Sequence, residues 1–407
     1  MVSAPNASSV IQTELDPIAK RRRIAQRLWG LDLQSSSRVD QLSAYFDHFR
    51  DQAGQLNVSM DDVFTAADIL KNKPDSTRQH LRNTMTSALN HGQSTKDTTT
   101  SHVQHNSAVP GPQNITVRDS VIEETIVATI RVMLAVNINL DSRTVFLATL
   151  GLNWGESQSL TSFIKETFPK HAYNDEPHTP FMASRLRARY LEDHADVQLE
   201  WTHHLPDHLV LNIGSQTKTL RVFDLVSLLE MTYEVMKDEP WETSVEDSLK
   251  RGCYTPTFLY ETLQTIRLLF PPQDQQWLDR KIEFNSRWYR WRGNDVRLVD
   301  QRISAPLKCH HGETVYERPL TTRRELFERY PHWAIRLHSL YAESEDPAPV
   351  SRPGRWAQRR RSPRHAFWLT FVALVAAALF GIVATIIGAV QVWISWCQWK
   401  GQGSSIC

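Results

Sequence analysis

Four things are missing or scarce in this 407-residue chain, and each absence excludes something. Cysteine comes first: only Cys253, Cys309, Cys397 and Cys407 are present. Four thiols spread that widely spell no disulfide framework, which suits a reducing compartment. Net charge comes second. Of 46 Lys and Arg, all but Lys400 precede residue 366, so 45 basic residues face 45 acidic ones there. A neutral soluble part argues against a nucleic-acid partner. Third, Met1–Asp16 holds no apolar leader, so no signal peptide is expected. Fourth, there is no phosphate loop, dinucleotide fingerprint, nucleophile elbow or HExxH helix. No cofactor is implied, and the sequence carries no catalytic signature.

What is present is one long uncharged run near the C-terminus. Ala366 to Val390 is 25 residues without a charge, and the run continues to Trp399 before Lys400 ends it. As a helix, such a segment rises about 37 Å, enough to cross a hydrocarbon core of about 30 Å with some tilt. Its 13 strong apolar residues, among them Leu369, Phe371, Leu374 and Ile386, favour insertion by about 4 to 8 kcal/mol. Arg352, Arg355, Arg359, Arg360, Arg361 and Arg364 precede the run, and only Lys400 follows it. That asymmetry places the N-terminal side in the cytosol. Trp356, Phe367 and Trp368 mark one interface, and Trp393, Trp396 and Trp399 mark the other.

With no leader and a late span, the expected class is tail-anchored and single-pass. The endoplasmic reticulum or secretory pathway is expected before the mitochondrial outer membrane. Asn6, Asn57 and Asn114 would then sit unmodified in the cytosol, although each opens a glycosylation sequon. The ending Ser404-Ser405-Ile406-Cys407 lacks the cysteine that prenylation needs. Small residues recur along the span: Ala373, Ala377 and Gly381 share a stripe, and Ala384 and Gly388 continue it with a modest rotation. Such a face lets two helices approach closely, so a homodimer through the span is a candidate.

The remainder divides by composition. Residues 1–16 read as disordered and 17–90 as a helical N-terminal region. Val39, Leu42, Phe46 and Phe49 line one helical face. Ser59 and Asp62 resemble a capping box ahead of Val63, Ala66, Ala67 and Leu70, with Pro74 closing the helix. Residues 91–115 are polar and read as a linker. Residues 116–345 form the main domain, 346–365 a Pro- and Arg-rich spacer, 366–393 the span and 394–407 a short tail.

Within the main domain, the apolar run Val121–Val136 fits a strand and a buried helix equally well. Leu160, Phe163, Ile164 and Phe168 make a helical face that Pro169 stops. Val197, Leu199 and Trp201 alternate with polar residues; so do Leu209, Leu211 and Ile213, and Leu220 and Val222 follow the turn Gly214–Lys218. These predict a small antiparallel sheet. Thr255 and Pro256 read as N-cap and first residue of a helix carrying Leu259, Leu263 and Ile266. Trp333, Leu337, Leu340 and Tyr341 give one more helical face. The fold class is therefore α+β, mainly helical, with one C-terminal transmembrane helix.

Four clusters could carry chemistry. His203, His204 and His208 flank a Pro-Asp turn and could approach a metal, but Pro206 breaks any helix there and a polar hairpin loop is simpler. Cys309-His310-His311 lacks a partner set, because adjacent residues point apart. Arg287-Trp288-Tyr289-Arg290-Trp291-Arg292 could stack on nucleic acid, yet fits a half-buried element whose arginines cover apolar surface. Lys20, Arg21, Arg22, Arg23 and Arg27 could meet anionic lipid or an acidic partner, or simply form a solvated helix face. None of these clusters reads as a metal site.

Tyr330-Pro-His-Trp-Ala-Ile-Arg-Leu-His-Ser-Leu-Tyr341, then Arg359-Arg-Arg-Ser-Pro-Arg-His365 and the span closing in Gln391-Val-Trp-Ile-Ser395 resemble the end of a group of fungal membrane proteins. Leu199-Glu-Trp-Thr-His-His-Leu-Pro-Asp-His-Leu209 and Leu268-Leu-Phe-Pro-Pro272 are similar too. The resemblance implies a single C-terminal transmembrane helix and one unit from residue 116 to 400. It implies no activity, so no functional residue carries over. The expected function is that of a membrane-tethered interaction or adaptor protein, with the lipid bilayer and a protein as partners. The alternative is a tethered enzyme using His203, Asp207, His208 and Glu313. A channel is disfavoured, because the span has no ionisable residue to line a pore.

Overall fold

The computed structural model describes residues 17–56, 58–94, 112–139, 151–173, 180–214, 217–291, 300–303, 320–348 and 363–400. They divide into two compact units, residues 1–213 with 217–347, and residues 348–407 with 214–216.

The first unit is mainly helical. Its helices are α1 (Pro17–Trp29), α2 (Ser36–Gln41), α3 (Ser43–Gln55), α4 (Met60–Asn72), α5 (Arg78–Ser94), α6 (Pro112–Leu134) and α7 (Leu160–Thr167). Next come α8 (Ala188–Ala195), three strands, α9 (Val226–Met236), α10 (Val245–Lys250), α11 (Pro256–Leu269), α12 (Gln275–Trp291), α13 (Arg323–Arg329) and α14 (Ala334–Glu345). Local rules account for most boundaries. Ser159 Oγ accepts from the Ser162 amide to open α7, and Thr255 does the same for Phe258 ahead of Pro256 in α11. Ser59 is the N-cap of α4, but its side chain makes no capping bond, so that capping box is not formed.

The ambiguous apolar run 121–136 lies mostly in a helix, the 23-residue α6. Ile122, Ile126, Ile130 and Met133 are buried in it, and Thr125 and Thr129 join them. The two hydroxyls bond back to carbonyls one turn earlier, at 2.8 and 2.7 Å, which makes them compatible with an apolar surround. A helix covered on most sides has no polar face to reveal its period.

The sheet differs from expectation in one respect. β1 (Val197–Thr202), β2 (Val210–Ile213) and β3 (Lys218–Phe223) lie in the order β1-β3-β2. β2 pairs antiparallel with β3 as expected, but β1 runs parallel to β3, with Leu199 opposite Leu220. The sheet is thus mixed. Alternation marks which residues face the core; it does not say which strand lies alongside. β3 is central and starts with a buried lysine: Lys218, 1% exposed, donates to Glu343 at 2.6 Å and to the Ala195 carbonyl at 3.0 Å. That pair fastens the sheet to α14 and to the end of α8. Leu209, at φ +62°, and Val210 both face Arg221, a bulge at the start of the β2 edge.

A single apolar cluster runs from Ile24 in α1 to Tyr341 in α14. The N-terminal helices are therefore part of the same core as the rest. α4 and α3 pack on α6, and Arg38 reaches Glu234 of α9 at 3.0 Å. Arg78 of α5 is buried against α6, with Glu123 at 2.7 Å and the Trp154 carbonyl at 2.6 Å. The polar stretch proposed as a linker is shorter than the sequence suggested, since α5 continues to Ser94 and α6 begins at Pro112. Its remaining residues, 95–111, lie outside those described, as do residues 1–16. If a specific protease site were placed within 95–111 and cut, the two fragments should co-elute in native size exclusion and separate only in denaturant. Separation under native conditions would show that the N-terminal helices are an independent body.

Candidate functional site

The second unit contains α15 (Pro363–Lys400), a 38-residue helix. Its stretch Thr370–Trp399 spans 30 residues at a mean hydropathy of 2.6, and none of its most apolar window is buried. Among the described residues it is the one helix long and apolar enough to cross a membrane. Ala373, Ala377, Gly381, Ala384 and Gly388 all lie in it, and a methyl group added at Gly381 or Gly388 would touch nothing within 4 Å. Thr385 hides its hydroxyl on the Gly381 carbonyl. Trp393 and Trp396 are exposed, with ring centroids 6.1 Å apart. Arg364 and Trp368 fall in its first turns, but their side chains lie outside the described residues. So do Arg355, Arg359, Arg360 and Arg361 altogether. Cys397 near the helix end is disulfide-bonded, whereas Cys253 in the first unit is free, buried and pushed up to about 12 by desolvation. The cysteine spacing spelled no disulfide framework, and a reducing compartment was expected; the paired Cys397 departs from that, and the free Cys253 is compatible with it.

The three clustered histidines do not converge. His203, just past β1, turns Nδ1 to Asp224 Oδ1 at 2.6 Å. The Asp224 side chain is wholly buried, while the His203 side chain keeps 22% exposure. His48 of α3 packs its ring 4.8 Å from that of His203. A carboxylate behind an imidazole fixes its orientation, which is half of a general-base arrangement. Asp300 is a second buried carboxylate nearby. It accepts from the amides of Ser227, at 2.7 Å, and Arg302, at 2.9 Å, and so caps the start of α9. Burial pushes its carboxyl up, and those hydrogen bonds oppose the shift while the Asp224 charge adds to it.

His208 belongs to the core instead. Its Nε2 meets Thr265 Oγ1 at 2.8 Å, its Nδ1 accepts from the Phe223 amide at 3.2 Å, and Trp333 stacks edge-on at 4.9 Å. A ring nitrogen that accepts an amide proton cannot also be protonated, and full burial with the Arg336 charge nearby lowers the imidazole to about 3. Asp207 pairs with Arg221 at 3.1 Å, and burial raises its carboxyl. Among the described residues no set of three or more His, Cys, Asp or Glu is arranged to hold a metal. Two open clefts, of about 610 Å³ between β2 and α14 and about 520 Å³ between residues 170–173 and α13, have neither His203 nor Asp224 in their walls.

The basic cluster of α1 is largely used inside the fold. Arg23 pairs with Asp61 at 3.0 Å and Arg27 with Asp68 at 2.8 Å, both on α4. Their guanidinium groups also lie over the Phe64 ring, and Arg22 donates to the Gln34 carbonyl. Cys309, His310, His311 and Glu313 lie outside the described residues, as do the side chains of Arg287 to Arg292.

Sequence reasoning missed three members of this geometry: His48, Asp224 and Asp300. Asp224 had a readable signal, an acid between a strand pattern and a helical run. Asp300 reaches α9 from 73 residues away, and no local pattern carries that. No family model, curated protein or solved structure matches the chain, so no residue role is supplied by a relative.

His208 makes a pH prediction. Its folded value of about 3 lies below the ordinary 6.5, so the unfolded chain binds the extra proton between those limits. Its contribution is present above pH ~6.5 and is lost as pH falls toward ~3, at about 1.4 kcal/mol per unit at most. Denaturant titrations should show a shallower slope over that window for His208→Asn than for the parent. Parallel profiles would refute it.

Proposed function

We propose that the chain is a single-pass, tail-anchored membrane protein that presents its first unit to the cytosol and works there through contacts with other proteins. The observation that carries this reading is the unburied 30-residue apolar stretch Thr370–Trp399. A soluble protein buries such a surface, and lipid covers it equally well. Six arginines before the span and one lysine after it support a cytosolic N-terminal side. The Cys397 disulfide supports an oxidising far side, and hence the endoplasmic reticulum or secretory pathway over the mitochondrial outer membrane. The lipid bilayer is then one partner and a protein the other, with no nucleic acid. The resemblance to fungal membrane proteins agrees with this reading.

One observation favours a second reading, a tethered enzyme: the buried Asp224 that orients the half-buried His203. Adaptor work remains the better account, because among the described residues no set of three or more His, Cys, Asp or Glu that could hold a metal gathers at the pair.

Protease added to intact membranes should digest everything before residue 363, and Asn57 and Asn114 should carry no glycan. A protected first unit, or glycan at either asparagine, would reverse the orientation.

The reading includes a homodimer through Ala373, Ala377, Gly381, Ala384 and Gly388. Small residues let backbones approach and gain packing that lipid does not match. In a reporter of transmembrane-helix association, Gly381→Leu with Gly388→Leu should cut the signal severalfold while insertion persists. An unchanged signal would remove the dimer.

A further inference from the structure

The open cleft of about 610 Å³ beside the sheet has the shape of a slot for an extended chain. One wall is β2, an edge strand whose single neighbour in the sheet is β3. Alternate residues of an edge strand turn a backbone N–H and C=O outward with no strand to meet them. Leu211 and Ile213 pair with Leu220 and Lys218, so they share the face that meets α14, yet Ile213 stays 55% exposed. The other wall is α14, which contributes Ser339 and Ala342, both exposed. Two contacts give the slot a direction. Arg336 bonds to carbonyls just before β2, and Glu343 bonds to Lys218, which lies opposite Ile213. α14 and β2 therefore run the same way, with Arg336 and Leu209 at the first end. Between the lining residues Arg336 and Asp346 the helix rises about 15 Å, the length of about four or five extended residues.

Arg336 is a cation fixed in place and only partly used. Its Nη1 donates to the Pro206 carbonyl at 2.6 Å and to the His208 carbonyl, and its guanidinium lies over the Trp333 ring at 5.2 Å. Nε and Nη2 have no hydrogen-bond or ion-pair partner among the described residues. Asp207 feels this charge but is held by Arg221 at 3.1 Å, and Glu343 is engaged by Lys218. The Nε–Nη2 edge of a guanidinium matches a carboxylate, with two parallel bonds, and a side chain already immobilised loses little freedom in making them. An occupant antiparallel to β2 brings its C-terminal end to the start of β2, and so to Arg336. One parallel to β2 would bring its ammonium end there, against a like charge.

We infer that this cleft binds the free C-terminus of a partner protein, whose last residues add antiparallel to β2 while Arg336 takes the terminal carboxylate. That the carboxylate belongs to a protein rests on the adaptor reading above; the preference for a carboxylate at Arg336 does not.

The test uses the full chain in detergent micelles. A pool of fluorescein-labelled peptides, randomised over their last residues, is offered with free C-terminal carboxyls and separately as carboxamides. The free-acid pool should yield binders with apolar residues at every second position, and the best of them should lose at least about tenfold in affinity as its carboxamide. Its binding should slow hydrogen exchange in residues 209–213. Ala342→Trp fills the slot from an exposed position and should abolish binding with the melting temperature unchanged. Ile213→Asp, exposed on the opposite wall, should do the same. Arg336→Lys keeps a charge without the fork; it should weaken the free acid and leave the carboxamide alone. No enrichment, equal affinity of acid and carboxamide, or unchanged exchange in 209–213 on binding overturns the proposal, as does unchanged affinity in both Ala342→Trp and Ile213→Asp. N-Acetylvaline binding as tightly as the best peptide would make the ligand a small acid, and would overturn the peptide assignment and the adaptor reading together. Loss of the carboxylate preference alone would overturn this site and leave that reading standing.

Discussion

The last carbonyls of a helix have no partners within it, and at the C-terminal end of α6 they are buried. Donors therefore have to come from elsewhere in the chain. The Tyr45 hydroxyl of α3 donates to the Val132 carbonyl at 2.8 Å, and the Tyr254 hydroxyl, just before α11, donates to Leu134 at the same distance. Ala135, at φ +53°, ends the helix in a left-handed turn, and its carbonyl accepts the Leu205 amide at 2.9 Å. Arg131 holds the Ile138 carbonyl beyond it. Three separated parts of the sequence thus converge on one helix end, and the apolar faces around them follow. Burial drives both tyrosines far above their ordinary range, so they remain neutral donors at any pH the fold survives. Leaving one of those carbonyls unmet would cost about 1 to 3 kcal/mol, comparable to a sizeable part of a domain's net stability.

A second constraint lies on α11, where ten of fourteen residues are buried and four of those ten are polar. Glu261 accepts from the amides of His332 and Trp333 and from His332 Nδ1, the last at 2.5 Å. Thr262 takes the Trp333 indole proton at 3.0 Å, and Thr265 meets His208. Arg336 lies over the Trp333 ring and holds the Pro206 and His208 carbonyls. Apolar contacts alone would let α14 slide on α11; this chain of directed bonds sets its position, because each partner would otherwise be buried and unmet. The same chain fixes His208, and through it the backbone of β3.

Much of this was legible locally. The faces Val39–Leu42–Phe46–Phe49, Leu160–Phe163–Ile164 and Trp333–Leu337–Leu340–Tyr341 are buried, and Thr255-Pro256 opens α11 where the capping rule puts it. The uncharged run near the C-terminus is a helix. What was not legible depends on distance along the chain. The parallel pairing of β1 with β3 is one case, and the trans-cap of α9 by Asp300 is another. The polar stretch after α5 looked like a boundary because composition reports whether a segment can bury itself, not whether its neighbours share a core. Histidine spacing left a metal open beside the simpler polar loop, and strand geometry sent His203 to Asp224 and His208 to Thr265. Asp224 and Glu261 show the converse: an acid inside an apolar pattern was the available sign of a buried polar joint.

Because one core joins Ile24 to Tyr341, its completion has a time as well as a place. During synthesis α1 to α6 are made first, yet the partners for their inner faces, including Tyr254 and Leu205, appear more than 70 residues after α6 begins. Contacts so distant in sequence form slowly, since the intervening loop must be closed before any reward is felt. The early helices accordingly wait with apolar faces uncovered, the condition in which chains aggregate or recruit chaperones. Tyr341 finishes the core only 22 residues before α15 begins. Completion of the first unit's core and emergence of the apolar helix therefore fall in the same interval of synthesis.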